Sequence, residues 1–118
     1  MDSEMRVAVA YIAGRLVNQD NSAYIFDYAR NSYINLAGTV TSGLVHVYDY
    51  ARLSLISGTS NSIYDFDKKA RVLLDVTDTL FKGYDYGSGF VFQGRVRGPH
   101  IELFDFGESR TCNYRFVG

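Results

Sequence analysis

Cysteine, proline, tryptophan and histidine are nearly missing from this chain of 118 residues, which holds one Cys, one Pro, no Trp and two His. The single cysteine, Cys112, cannot close an internal disulfide, so nothing in the fold demands an oxidising compartment. Two histidines and one cysteine are too few for a four-ligand Cys/His zinc site. A surplus of one charge is lacking too: the net charge is −1. Nucleic-acid binders neutralise phosphates with a basic surplus, so no nucleic-acid partner is expected. No apolar run approaches the ~20 residues of a membrane-spanning helix, and no membrane partner is expected. The opening stretch MDSEMRVAVAYIAG carries acids where a signal peptide has its basic region, which makes a cytoplasmic location the expectation. The Gly-x-Ser-x-Gly elbow, the phosphate loop and the His-Glu-x-x-His run are all missing. The residues therefore nominate no catalytic group, no metal ligand and no cofactor.

What the chain does have is aromatic rings around acids. Hydrophobic residues make up 47% and charged residues 21%, a globular composition for one domain spanning residues 1–118. Ten Tyr and eight Phe accompany ten Asp. Random placement would give aromatic-Asp-aromatic about 0.2 times in such a chain, a reason to look for an internal repeat. Five copies are present: Phe26-Asp27-Tyr28, Tyr48-Asp49-Tyr50, Tyr64-Asp65-Phe66, Tyr84-Asp85-Tyr86 and Phe104-Asp105-Phe106. Each is followed by a short polar or glycine-bearing link and then a β-prone run, which is a hairpin signature. Several of the runs contain a glycine, such as Gly38, Gly58 and Gly94, the mark of a bulge or bend. Ile12-Ala13-Gly14-Arg15-Leu16 shows the same pattern and reads as the first strand. The best helical window, Ala23 to Tyr33, contains a copy of the repeat and so reads as strand like its sisters. The expected fold is all-β, an antiparallel meander of about five repeated hairpins, closed into a barrel or folded as a two-sheet sandwich, with a β-solenoid as the outside choice.

Alternation along a strand places the two rings of each copy on one face and the acid on the other. In the second copy, His46 and Leu44 share the ring face, and Val45 and Val47 share the acid face. An Asp just before a turn accepts hydrogen bonds from turn N–H groups. Asp27, Asp49, Asp65, Asp85 and Asp105 are accordingly assigned to turn bracing, with Arg30, Arg52 and Lys68 three residues on as local cations. A row of calcium-binding carboxylates is the rival reading. In a meander these acids lie about 9–10 Å apart, too far to share one ion. The paired acids Asp65 with Asp67 and Asp75 with Asp78 read as solvated edges, and Cys112 as a quiet residue in a strand.

The links after the acids look short, and the connections at the opposite end look longer and irregular: Asn18 to Ser22, Thr41 to Gly43, Thr59 to Ser62, Thr77 to Gly83 and Arg97 to His100. Irregular loops on a regular scaffold are the usual place for binding residues. His46, Tyr48, Arg97 and His100 are the candidate ligand-binding residues on this reasoning. The first functional expectation is a non-catalytic module that binds a small organic molecule or glycan in the barrel mouth or between the long loops. The alternative is a structural or assembly protein acting as a homo-oligomer, with residues 112–117 as a contact edge if the sheet stays open. An enzyme ranks third.

Overall fold

Burial decides which way each strand faces. The acids at 27, 49, 65, 85 and 105 are 1–4% exposed, whereas the second ring of each copy is 42–57% exposed. The acids therefore point inward with Val45, Val47, Ile56, Val72 and their kin, and the rings stand outside. Within each copy the two rings meet edge to face, with centroids 4.7–5.0 Å apart. Such pairs contribute roughly 0.5–1.5 kcal/mol beyond area burial. The five pairs clasp the outer wall near the strand ends.

The computed structural model describes residues 1–117. Its strands are β1 (Tyr24–Asp27), β2 (Ser32–Val40), β3 (Val45–Asp49), β4 (Ser54–Thr59), β5 (Ser62–Asp65), β6 (Ala70–Thr77), β7 (Leu80–Asp85), β8 (Phe90–Arg97), β9 (His100–Asp105) and β10 (Arg110–Phe116). They form a closed antiparallel meander in which each strand pairs with its chain neighbours and β1 pairs with β10. Ile25 lies opposite Phe116 at that seam. The C-terminal strand is thus paired on both sides and offers no open edge. Register is unbroken at every pairing, so the inner glycines are not bulges. Gly38 and Gly58 hold φ of 144° and 152°, and a Cβ on either would collide with the carbonyl of His46 or Ser62.

One element departs from the all-strand expectation. Residues Ser3–Asn18 form a helix, α1, so the expected first strand at 12–16 is helical. Asp2 caps it, its carboxylate accepting from the Glu4 N–H at 2.9 Å. Every residue from Met5 to Arg15 is buried, on all sides of the helix. A helix wrapped in apolar side chains all round has to be enclosed. Here α1 packs against β1, β2, β6, β8 and β9, strands spread around the whole ring, which places it in the lumen. Eight strands enclose a space that side chains alone can fill, and ten enclose more. Ala8, Ala10, Ala13 and Gly14 keep the helix slim enough to fit, and the Phe116 ring lies against Gly14.

The loop lengths depart from the sequence expectation at three of the five far-end connections, while the link from Asn18 to β1 is long as expected. The five acid-end links, 28–31, 50–53, 66–69, 86–89 and 106–109, have four residues each. At the opposite end three hairpins turn in two residues, 60–61, 78–79 and 98–99, whereas 41–44 has four and the α1–β1 link 19–23 has five. Strands β6 and β7 run through most of the stretch from Thr77 to Gly83 that reads as a loop. The five acid-end links share one backbone device: their last residue is left-handed, at Asn31, Leu53, Lys69, Gly89 and Ser109, with φ between 51° and 79°. Only one is glycine. A left-handed non-glycine residue costs roughly 1–2 kcal/mol. Leu53 bears this cost while its side chain is 75% exposed and packs little. Leu53→Gly is expected to stabilise the protein by about 0.5–1 kcal/mol after the added unfolded-state entropy of glycine is subtracted. Thermal unfolding checks this as a rise of a few degrees in Tm.

Candidate functional site

The acid end of the barrel is an electrostatic centre built by the repeat. Each central Asp accepts a hydrogen bond through Oδ1 from the backbone N–H two residues on, at 3.0–3.1 Å. In the first three copies the N–H three residues on is a second donor. Arg30 Nε lies 2.9 Å from Asp27, and Arg52 Nε 2.8 Å from Asp49. Arg52 also reaches Asp65 at 2.8 Å and Asp67 at 3.2 Å, so one cation serves two copies. Burial opposes the charge on Arg52, but its contacts with Asp49 and Asp65 outweigh this and hold the guanidinium above its usual range. Lys68 departs from the pattern by reaching out to the cap residue Asp2 and to Glu4 of α1 rather than back to Asp65.

The helix joins this network from inside. Arg6, itself buried, lies 3.0 Å from Asp105 and 2.6 Å from Glu108, and the amino group of Met1 lies 2.9 Å from Asp105. Burial alone would raise the Asp105 carboxyl; these donors and the Gly107 N–H outweigh it and hold the group below 3.8. At the other end Arg15 donates to the carbonyl of Gly38 at 2.7 Å, and Asn18 to that of Gly98 at 2.8 Å. Among the described residues no group of three or more His, Cys, Asp or Glu is placed to hold a metal ion. Cys112 is buried and faces inward.

The four candidate ligand-binding residues fall into two separate pairs. His46 and Tyr48 lie on the outer face of β3; His46 is exposed and Tyr48 packs edge to face on Tyr50. Arg97 and His100 face each other across the 98–99 turn on β8 and β9. Four strands separate β3 from β8 in one direction round the barrel, and four in the other. The two pairs thus occupy opposite sides.

The second pair does border a cleft. Tyr28, Arg95, Arg97, His100, Glu102 and Asn113 surround a hollow of about 570 Å³ on the outer wall of β8, β9 and β10, with Ile101 and Tyr114 behind it. Register brings a further cation into line: His100 lies between Arg97 on β8 and Arg115 on β10. Arg115 donates to the Tyr28 hydroxyl at 3.2 Å and its guanidinium stands 5.8 Å from the Phe26 ring. Arg95 and Glu102 approach to 3.5 Å, both close to half exposed. Among the described residues neither Arg97 nor Arg115 forms an ion pair. Arg115, Glu102 and Asn113 were not singled out from sequence, because their place beside His100 depends on the register of β9 with β10. Comparison with family models, curated proteins and solved structures gives no match to this chain.

The Asp105 network generates a pH signature. A carboxyl held below its unfolded value of 3.8 stabilises the fold fully above that pH, and the contribution is lost as pH falls through the lower folded value. Asp105→Asn is expected to cost on the order of 2–3 kcal/mol at neutral pH. Below about pH 4 the variant should lose stability less steeply than the parent, measured by denaturant unfolding across an acid series.

Proposed function

We propose that the protein is a non-catalytic binding module that holds a small organic molecule or glycan in the outer cleft of β8–β10. The observation that carries this reading is the row Arg97, His100, Arg115, in which Arg97 and His100 line a hollow of about 570 Å³ and Arg115 flanks His100 on β10; among the described residues neither arginine pairs with a carboxylate. A cleft of that size suits a ligand of a few rings. Guanidinium forks grip carboxylate, sulfate or sugar hydroxyl groups with two donors at once. The Tyr28 ring supplies a flat wall on which a sugar or aromatic face can lie. The ligand class is therefore an acidic sugar or a small organic acid. Because α1 fills the lumen, this reading places the ligand on the outer wall.

The binding test is calorimetric titration with a panel of neutral and acidic mono- and oligosaccharides and small aromatic acids. Arg97→Ala and Arg115→Ala are each expected to weaken binding by about tenfold or more, the loss of one charge-assisted pair. His46→Ala, on the far side, should leave affinity unchanged, and all three should leave Tm nearly unaltered. Acidic ligands whose affinity ignores Arg97 and Arg115 would overturn the placement.

A further inference from the structure

A second surface, separate from the cleft, lies on the outer wall of β5–β8. The row Leu73, Tyr84, Val91 runs across β6, β7 and β8 as successive cross-strand neighbours. Leu73 is 37% exposed and Val91 48%. Phe106, 42% exposed, extends the apolar ground toward the acid end. Together with Asp75 and Lys82 they border a shallow hollow of about 730 Å³. A contiguous apolar patch rimmed by charge marks a contact surface.

The rim identifies the occupant. Asp75 on β6 lies directly opposite Lys82 on β7, and both are exposed. Yet among the described residues neither forms an ion pair, although they are cross-strand neighbours. An acid and a base side by side, each unpaired, make a self-complementary pattern. Place a two-fold axis parallel to the strands, between β6 and β7. Each residue of β6 then faces the β7 residue opposite it in register, but on the other copy. Asp75 meets Lys82 of the partner subunit, Lys82 meets Asp75 of the partner subunit, and Leu73 meets Tyr84 of the partner subunit. Such an isologous contact closes on itself and leaves no surface for further growth.

We propose that the outer wall of β6–β7 is the interface of a two-fold homodimer, locked by two reciprocal Asp75–Lys82 pairs around an apolar centre of Leu73 and Tyr84. The axis lies away from β9 and β10, so the Arg97–His100–Arg115 row stays open in both copies. The inference does not rest on the binding reading, and either can fail alone.

Charge exchange tests it. Sedimentation velocity over a concentration series is expected to show the parent as a dimer. Asp75→Lys and Lys82→Asp should each weaken the dimer by about tenfold or more, because each sets like charges face to face twice. An equimolar mixture of the two variants should recover a heterodimer, since every contact is then opposite in sign. The double variant Asp75→Lys, Lys82→Asp should recover the homodimer. Both side chains are exposed, so all variants should keep the parent's Tm within a few degrees. A parent that stays monomeric throughout, a dimer indifferent to the single changes, or a mixture that does not recover would each overturn the proposal.

Discussion

The structure depends on filling a ten-strand barrel. A ring of this size cannot be packed solid by inward side chains alone, and a void there would forfeit both dispersion and apolar burial. The protein meets the requirement with its own α1, in which Val7, Val9, Tyr11 and Ile12 reach the wall while Ala8, Ala10 and Gly14 let the helix axis pass. Once the helix occupies the lumen, the inward positions of every strand become core. The surfaces left for contact with other molecules are then outside, where the cleft and the β6–β7 face are found.

A buried helix also settles where the charges go. Its N-terminal end carries the positive pole of the macrodipole, and that end lies among the five inward acids. Arg6 and Arg15 bracket the apolar middle and each leaves the lumen toward oxygen: Arg6 toward Asp105, Arg15 toward the Gly38 and Asp20 carbonyls. The repeated Asp is therefore a local brace for its own turn, and in the last copy Asp105 also receives the helix through Arg6 and Met1. Arg52, shared between Asp49 and Asp65, joins neighbouring hairpins across their turns.

Much of the wall was legible in the chain. Five aromatic-Asp-aromatic copies announced the meander, and alternation correctly separated Val45 and Val47 from His46 and Tyr48. The helix was not legible, for a physical reason. Val7, Val9, Tyr11 and Ile12 are strand formers, and a helix buried on every side shows no polar stripe at 3.6-residue spacing. The stretch from Thr77 to Gly83 misled similarly: Asp78 and Gly83 look like loop residues, yet Gly83 is a strand position over which the Phe92 ring lies. Arg97 and His100 could be paired from the hairpin alone. Arg115 could not, since its neighbourhood is made by strands whose register the chain does not spell out locally. The distance between His46 and that cluster follows from barrel closure, which likewise has no local signature.

Closure has a further consequence, in time rather than in space. The seam joins β1 to β10, so the enclosure around α1 is completed only by the strand nearest the C-terminus. The helix meets β1 and β2 early but acquires the rest of its surroundings only when the later strands are in place. During synthesis its apolar side chains stay only partly covered until nearly every hairpin has formed, and the contacts that enclose it span most of the sequence. Folding dominated by such distant contacts is slow, and its intermediates expose what the native state hides. Local four-residue turns braced by Asp supply the opposing advantage, since each hairpin can assemble without waiting for the rest.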